Sequence, residues 1–442
     1  MKTLRILIPR HYDFTKTHYT EVWMKSLHNE LSKHFSISII WLLYLPKKII
    51  QYNISNNESV EYIQDFNNAI DVVKKLKPDL IISSEYPSLI DLAFYAASEN
   101  SASFFIKEML EFNTLEKNSK ENVSNSVKLN PTIPFLSALS LLFSTSTMSE
   151  VYTKNHSTFS RIKFILYKCK FLFSTLFFSK LTLTKKWNIF SAGLGYMINP
   201  PMFYFNPKLY PDIDFCNNSI LYNFLIKNNY SHLGLHVVGN PLYDNFFKKR
   251  IQLKNENVSE KIQVLFAPTK FARIESNQKQ TKESTMMITK AISKYKSEFD
   301  FFVKLHPSTQ QYEEYEQHIH NLDESVPIFQ KGTIESFIER SDVLITFTQI
   351  TTMFVFPLIL RKPVILCNFF GEKLLDEIEK IVFVCTDPSE LQNIIHEAIN
   401  TNYKKYEKID KYLELSCFKT DGLSSKRIVD HIVSLMNNKS KN

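Results

Sequence analysis

Glycine is scarce in this chain, with only 7 in 442 residues. The sequence has no glycine-rich loop of the kind that surrounds nucleotide phosphates, and it contains neither a Walker A motif nor a GxGxxG pattern. These absences argue against kinases, P-loop ATPases and typical dinucleotide-dependent enzymes. Any phosphate that the protein binds must therefore be held by side chains and by the N-termini of helices.

Cysteine and long apolar runs are scarce as well. The 5 cysteines are scattered, and no two of them form a CxxC pair. An odd, dispersed set argues against a disulfide framework or a zinc site and favours a reducing compartment. No stretch reaches the roughly 18 consecutive apolar residues of a membrane-spanning helix. Because the N-terminus leads directly into a predicted strand, with no secretory signal, we expect a cytoplasmic protein.

The chain is too long for one ordinary domain, and its length of 442 residues fits two. Strand and helix patterns alternate in both halves, which is typical of parallel sheets. We predict an N-terminal Rossmann-like domain over residues 1–240 and a second one over residues 241–442 that ends in a helix. The alternation stops between residues 114 and 200, where we predict a helical insertion in the first domain.

Three local details of the pattern are specific enough to be compared with a structure. Apolar periodicity predicts a helix over residues 62–76, which ends before a proline. The last strongly periodic helix is predicted to end near residue 399. The polar residues 437–442 are predicted to be a frayed tail.

The net charge of +8 has a local origin. Between residues 151 and 190 there are 8 lysines and arginines and no Asp or Glu, and phenylalanines are concentrated in the same segment. A basic helix with an aromatic face is typical of segments that lie on a membrane surface. Two interpretations stay open: contact with the inner membrane face through residues 160–186, or a packed helix pair with a solvated basic rim. Nucleic acid is not expected, because the aromatics are contiguous rather than interleaved.

Two loops in the second half place polar or cationic side chains just after short apolar strands. In an open parallel sheet, the carboxyl ends of the strands are where ligands bind. Adjacent hydroxyls at the start of a helix also favour phosphate, because the helix dipole adds to them. The loops therefore predict a site for the phosphate of a nucleotide leaving group, and their side chains are Lys304, His306 and Pro307 in the first and Thr348, Thr351 and Thr352 in the second.

Four motifs occur in order along the second half: Gly239-Asn240-Pro241 with Asp244, Ala267-Pro268-Thr269-Lys270, Lys304-x-His306-Pro307, and Ser341-Asp342…Thr351-Thr352…Lys362-Pro363-Val364-Ile365. This combination resembles the GT-B glycosyltransferase superfamily, in particular its CDP-glycerol glycerophosphotransferases, bacterial polysialyltransferases and capsular Kdo transferases. The resemblance extends from about residue 236 to residue 400. It implies an α/β fold of the GT-B type, in which two Rossmann-like domains face each other across a cleft. The first domain would bind the acceptor and the second the nucleotide donor.

The resemblance also implies roles for individual residues. His306 would contact the donor phosphate, and Thr351 and Thr352 would bind it at their helix N-terminus. Such groups would stabilise the negative charge that develops on a leaving nucleotide. Because no suitable DxD pair is present, we expect no metal and no cofactor besides the nucleotide-sugar donor, which is a substrate. The further donor-binding candidates are Thr269, Lys270, Lys304, Pro307, Thr333, Thr348 and Glu372.

One position departs from the superfamily pattern. A carboxylate commonly lies five residues after the first hydroxyl and helps to hold the donor, whereas this chain has Phe356 there. The contact is either lost or supplied from elsewhere, for example by Glu372. The identity of the donor therefore stays open.

The catalytic base is expected from the N-terminal domain, just past a strand end. Inverting transfer needs a carboxylate or histidine within hydrogen-bond reach of the acceptor hydroxyl. We favour Asp13 and Glu85 among the candidates, which also include His11, Glu108 and Glu111. Together with His306, Asp13 and Glu85 form the predicted catalytic set.

These expectations combine into one leading function and two alternatives. The leading function is metal-independent, inverting transfer of a sugar or sugar-like group to a surface glycan such as capsule or lipopolysaccharide. The donor would be CMP- or CDP-linked by preference, or UDP-linked, and the acceptor would be a glycan or lipid-linked molecule at the inner membrane face. The alternatives are a UDP-sugar 2-epimerase-like enzyme and a degenerate GT-B scaffold in a capsule assembly complex, which the residue Phe356 suggests.

Overall fold

The computed structural model describes residues 1–10, 19–43, 57–83, 89–99, 101–110, 158–198, 209–227, 229–230, 233–252, 260–268, 275–305, 312–347, 355–371, 374, 376–400 and 404–439. These residues form two compact units. The described residues before Tyr243, together with those after Gly422, make up the first unit, and the described residues of Tyr243–Gly422 make up the second. The predicted architecture of two Rossmann-like α/β domains is confirmed.

The first unit contains a parallel sheet of 7 strands in the order β3-β2-β1-β4-β5-β6-β7. Its strands are β1 (Thr3–Arg10), β2 (Ser36–Leu43), β3 (Glu58–Tyr62), β4 (Leu80–Ser83), β5 (Phe104–Leu110), β6 (Ile213–Cys216) and β7 (Leu235–Val237). Its helices before the second unit are α1 (Tyr19–Leu31), α2 (Ala69–Leu76), α3 (Leu89–Ser98), α4 (Thr158–Phe178), α5 (Leu183–Ile198) and α6 (Ser219–Lys227).

Side chains that alternate along the central strands bury both faces of this sheet. Leu7 and Ile81 pack into a core with α2, α3, α4 and α5. Their neighbours Ile6 and Leu80 point to the opposite face, into a second core that includes Trp23 of α1. Continuous apolar runs such as residues 80–82 are therefore explained by burial on both faces.

The second unit contains a parallel sheet of 6 strands in the order β10-β9-β8-β11-β12-β13. Its strands are β8 (Ile262–Phe266), β9 (Phe299–Lys304), β10 (Ile328–Phe329), β11 (Val343–Thr346), β12 (Val364–Cys367) and β13 (Phe383–Cys385). Its helices are α7 (Asp244–Gln252), α8 (Glu275–Ile292), α9 (Tyr312–His320), α10 (Ile334–Arg340), α11 (Val355–Ile359), α12 (Asp376–Glu379), α13 (Leu391–Asn400) and α14 (Lys404–Cys417).

The last helix of the chain corrects the predicted domain division. Helix α15 (Ser424–Lys439) belongs to the first unit and not to the end of the second domain. Its apolar side chains Ile428, Val429 and Ile432 are buried in the core that contains β1, β2 and α1. The prediction of 241–442 as one continuous domain missed this return, because local sequence does not record which sheet a terminal helix covers.

Three further details differ from the predictions. The helix predicted over 62–76 begins only at Ala69, because 58–62 form β3 and Asn68 is the N-cap, whose side chain accepts from the backbone amide of Asp71. The helix predicted to be the last is followed by α14 and α15. Residues 437–439 are the end of α15 and not a frayed tail. The predicted insertion is helical where it is described, as α4 and α5.

Candidate functional site

The strand order of the second unit creates a topological switch point between β8 and β11. From β8 the chain moves outward through β9 and β10, and it then returns to the other side of β8 with β11. β8 is hydrogen-bonded to β9 on one side and to β11 on the other, in parallel register. In open α/β sheets, ligands bind outside the carboxyl ends of the strands at such a point.

Most predicted donor-binding residues follow the strands around this switch point in the chain. Thr269 and Lys270 follow β8; His306 and Pro307 follow β9; Thr348, Thr351 and Thr352 follow β11; and Glu372 follows β12. All eight lie outside the described residues. The described residues directly before them lie at the carboxyl edge of adjacent parallel strands.

Backbone hydrogen bonds hold the starting points of these loops. The amide of Ala267, just after β8, donates to the carbonyl of Ile345 in β11 at 3.0 Å. On the other side, the amide of Leu305 donates to the carbonyl of Phe329 at 2.8 Å. The three chain segments that continue into the predicted loops therefore leave the sheet side by side.

Lys304 ends β9, and its ammonium group is turned into the protein. The side chain is buried, and its Nζ donates to the carbonyls of Leu305 at 2.7 Å and Gln330 at 2.9 Å. The ring of Phe337 lies 5.7 Å from Nζ. Burial lowers the pKa of Lys304, and the nearby Glu335 acts in the opposite direction. Two of its three N–H groups thus fix the chain just before His306 to the end of β10.

Thr333 occupies the predicted N-cap position of α10, but its hydroxyl does not cap the helix. Its backbone is extended, and its side chain makes no cap hydrogen bond. Its carbonyl accepts from the Ser336 hydroxyl at 2.9 Å. The preceding Gly332 has φ +88, and an added Cβ there would lie 3.1 Å from the Phe337 ring. Thr333 is exposed, and its hydroxyl accepts no hydrogen bond from the backbone amides of the first turn of α10.

Thr346, the last residue of β11, was missed by sequence reasoning. Its side chain is buried, and its hydroxyl has no hydrogen-bond partner among the described residues. An unpaired buried hydroxyl costs about 1–3 kcal/mol, so such groups call for an explanation. Thr346 lies at the switch point, paired in register with Leu366 of β12. The signal in the sequence is a threonine at the end of an otherwise apolar strand.

The departure at Phe356 has a structural explanation. Phe356 in α11 is buried and packs against two aromatic rings of the second unit. Its ring centroid lies 5.2 Å from that of Tyr243 and 4.7 Å from that of Phe246 in α7. The position therefore serves the core of the second unit, where a carboxylate would be buried beside phenyl rings.

The first unit has its own switch point, between β1 and β4, which pair in parallel. The candidate bases Asp13 and Glu85 follow these two strands in the chain, and both lie outside the described residues. The alternatives His11 and Glu111 do so as well, and Glu108 is described only as part of β5. The two favoured carboxylates thus belong to segments that leave neighbouring strands.

The turn at Gly239-Asn240-Pro241 lies between β7 and α7. Gly239 has φ +85, a conformation that favours glycine. The Asn240 carboxamide oxygen accepts from the amide of Leu242 at 3.0 Å, which closes a local turn. Asn240 and Asp244 are both buried. These residues support the backbone between the two units.

Known proteins resemble this chain in two respects. Residues 216–434 match the model of the family described as CDP-glycerol:poly(glycerophosphate) glycerophosphotransferase. The structure of the wall teichoic acid polymerase TagF aligns with a TM-score of 0.53 and 12% identity, over 99% of this chain and 90% of that one. The chain has the GT-B fold of these proteins. The predicted resemblance is thereby confirmed.

Other GT-B structures are equally similar in fold. A putative UDP-N-acetylglucosamine 2-epimerase from Listeria monocytogenes aligns with a TM-score of 0.53 and 11% identity, over 99% of this chain and 97% of that one. MnaA of S. aureus, solved with UDP, aligns with a TM-score of 0.50 and 13% identity, over 99% and 97%. No curated protein matches the sequence. At these identities the structures establish the fold.

Neither a metal-binding cluster nor a membrane-spanning helix is found in the described part of the chain. Among these residues, no group of three or more His, Cys, Asp or Glu side chains is placed to hold a metal ion. No helix within the same ranges combines the length and apolar character needed to cross a membrane.

Proposed function

We propose that this GT-B protein transfers a polyol-phosphate or sugar group from a cytidine nucleotide of the CDP-glycerol class to a surface glycan such as capsule, lipopolysaccharide or a teichoic-acid-like polymer. An acceptor hydroxyl forms the new bond to the transferred group. The bond from that group to CMP breaks, and CMP leaves with the electron pair while a base takes the acceptor proton. The family match to glycerophosphotransferases supports the cytidine donor.

One observation carries the proposal. The segments that lead to Thr269, His306 and Thr351 leave three adjacent parallel strands around the β8–β11 switch point. This arrangement supports a common anion site, in which hydroxyl, imidazole and lysine groups bind the donor phosphates. The unpaired hydroxyl of Thr346 supports a polar ligand at the same edge. Preorganised donors of this kind contribute about 3–4 kcal/mol each to a transition state that develops negative charge.

The donor is tested by measuring CMP release. The full chain is incubated with CDP-glycerol, CMP-linked sugars and UDP-linked sugars, with and without a glycan acceptor. Acceptor-dependent release of CMP is the expected result. An isomerised UDP-sugar without acceptor would instead identify an epimerase. Failure of CMP, CDP, UDP and GDP to raise the melting temperature would identify a scaffold, since a ligand that binds the folded state stabilises it.

The phosphate-binding residues are tested by substitution. His306→Ala and the double change Thr351→Val with Thr352→Val should each lower the rate of CMP release about 100- to 1000-fold. The matched control is His318→Ala, because His318 is half-buried on α9, and its ring is hydrogen-bonded to the carbonyl of Glu314 in the same helix. Equal losses in the control and in His306→Ala would contradict the proposed site.

Metal independence and the catalytic base belong to the same proposal. CMP release should persist in excess EDTA, and a requirement for added Mg²⁺ or Mn²⁺ would overturn this part. Asp13→Asn and Glu85→Gln separate the two candidate bases, because only loss of the base lowers kcat about 100-fold or more while donor binding is retained. Retained kcat in both variants would exclude both carboxylates from that role.

The acceptor is proposed to be lipid-linked at the inner membrane face.

A further inference from the structure

Helices α4 and α5 form a hairpin whose outer end exposes large apolar side chains. We define the hairpin tip as Phe173, Phe177, Phe178, Leu183 and Trp187. Phe177 is 78% exposed, Phe178 64%, Leu183 84% and Trp187 64%. Soluble proteins rarely expose a contiguous apolar cluster of this kind unless it binds something.

The hairpin is firmly anchored to the first unit by its other face. Phe171, Leu172 and Leu176 of α4, with Ile189 of α5, are buried in the core that contains α2 and α3. The hydroxyl of Thr175, also buried, accepts from the amide of Ala69 at 3.1 Å. The apolar face needed for folding is therefore already used, and the tip is additional apolar surface.

Side chains of the tip are packed against one another. The ring centroids of Phe177 and Phe178 lie 5.1 Å apart in an edge-to-face arrangement. Phe190, which is half-buried, lies 5.1 Å from Phe173 and 5.6 Å from Trp187. The tip is thus a preformed aromatic surface, which needs little ordering when it binds.

The charged side chains of the hairpin itself are all basic. No Asp or Glu occurs between residues 151 and 190. Lys170 and Lys180 are exposed, and Lys186 Nζ donates to the carbonyl of Phe177 at 3.5 Å. Two further lysines of the hairpin lie near acidic side chains: Lys185 pairs with Glu99 at 2.5 Å, and burial lowers the pKa of Lys168 to about 8, with Asp91 acting in the opposite direction.

We propose that the hairpin tip inserts into the headgroup region of a bilayer that contains anionic phospholipid. Exposed aromatic side chains next to lysines fit such a surface, because the rings enter the acyl boundary while the ammonium groups meet lipid phosphates. Each lysine near an anionic surface strengthens binding about fivefold. The inference rests on the proposed function in one respect, because a lipid-linked acceptor requires the enzyme at that surface.

Trp187 is a native reporter for this contact. The chain has 3 tryptophans, and the other two, Trp23 and Trp41, are buried in the core of the first unit. Mixing the full chain with vesicles of phosphatidylcholine and phosphatidylglycerol should shift the tryptophan emission to shorter wavelength. Lipids with brominated acyl chains should quench it. An unchanged emission, or the same shift with pure phosphatidylcholine, would overturn the proposal, as would a concentration-dependent shift without vesicles.

Substitutions distinguish vesicle binding through the hairpin tip from nonspecific adsorption of the protein. The double change Phe177→Ser with Phe178→Ser should lower vesicle partitioning about tenfold or more. Lys180→Gln with Lys186→Gln should lower it about 25-fold on anionic vesicles and leave the weak binding to phosphatidylcholine unchanged. The control is Leu415→Ser, at a 54% exposed position on α14 of the second unit, where no change is expected. An equal loss in the control would contradict the assignment.

Failure of this inference is distinguishable from failure of the proposed function. Stabilisation by CMP and transfer to a soluble acceptor are measured without vesicles, and neither should change in the tip variants. If CMP is released but the protein does not bind vesicles, only the proposed membrane contact is contradicted. If the protein binds vesicles but releases no CMP, only the proposed transferase function is contradicted.

Discussion

Lys304 and Asp323 are charged residues that are buried in the second unit. Each is satisfied by partners in its immediate neighbourhood: Lys304 by the carbonyls of Leu305 and Gln330, and Asp323 by Lys296 and Ser325. Burying a charge lowers the stability of the fold unless the charge is hydrogen-bonded. Removing either the charged group or its partners should therefore lower the free energy of unfolding. Both residues therefore lead to predictions about stability rather than about catalysis.

Asp323 predicts a dependence of stability on acid pH. Burial alone raises its pKa, but hydrogen bonds from Lys296 and Ser325 outweigh this effect and hold the pKa at about 2. The stabilisation is complete above about pH 4 and is lost as the pH falls through about 2, because the unfolded carboxylate takes up its proton first. Urea unfolding of the wild type should show a loss of about 1–2 kcal/mol from this group over that range.

Asp323→Asn should remove this part of the pH dependence and be less stable at neutral pH. The control is Glu324→Gln, an exposed neighbour that should leave the pH profile unchanged. A variant whose unfolding free energy falls with acid as steeply as that of the wild type would contradict the assignment to Asp323.

Lys304→Met tests whether the ammonium group holds the base of the 306 loop. One buried and one partly buried carbonyl would lose a charged donor, and we expect the free energy of unfolding to fall by about 2–3 kcal/mol in urea denaturation. Lys331→Met is the control, since Lys331 is exposed a short distance along the chain. A loss no larger than in the control would show that the two hydrogen bonds contribute little.

At the scale of elements, the scarcity of glycine reappears at the ends of helices. Helices commonly end on a left-handed residue, which is usually glycine. Four helices of the described residues are instead followed by other residue types with positive φ: Lys77 at 48, Asn229 at 61, Arg361 at 58 and Phe418 at 66. An L-residue other than glycine or asparagine is strained in this conformation by about 1 kcal/mol. The composition thus has a direct energetic consequence.

Lys77→Gly should therefore stabilise the protein. Lys77 is exposed and is the C-cap of α2, where its amide donates to the carbonyl of Val73. Relief of strain should exceed the entropy that glycine adds to the unfolded chain, giving a gain of about 0.5–1 kcal/mol. Lys74→Gly, in the interior of the same helix, should lose about 1 kcal/mol. Thermal unfolding with a lower melting temperature for Lys77→Gly would contradict this account.

At the scale of the whole molecule, the chain returns from the second unit to the first with helix α15. Helix α15 packs on α1 and buries Ile428, Ile432 and Met436 among residues of β1 and β2. The Arg427 guanidinium also donates from Nε to the carbonyl of Val238 at 2.8 Å. The first unit therefore requires residues from both ends of the sequence.

Ile432→Ala should destabilise the first unit and spare the second. Ile432 is fully buried, so the cavity should cost about 2–4 kcal/mol. Hydrogen exchange should become faster in β1 and β2 and stay unchanged in β8 and β9, because the units have separate cores. Ile399→Ala, at a partly exposed position of α13, is the control. Equal acceleration in both sheets would show that the units unfold as one.

Much of the fold could be predicted from local pattern. The predicted alternation of strands and helices is confirmed by elements such as β2 and β11, in which apolar residues dominate. The short edge strand β3 was missed, since Glu58 and Glu61 interrupt its apolar pattern and all five residues are half-buried. The candidate site was predicted only as loops after strands, and most of its residues stay predictions because they lie outside the described residues.

The sequence by itself determined the fold class: alternating strands and helices in both halves, and motifs in the order typical of GT-B proteins. These features are encoded in short segments, where periodicity and turn residues act locally. The tertiary structure decided that β8, β9 and β11 lie side by side, that Lys304 points inward, that Phe356 belongs to a core, and that α15 covers the first sheet. Those outcomes depend on which apolar faces meet across long separations in sequence, and no local pattern records that choice.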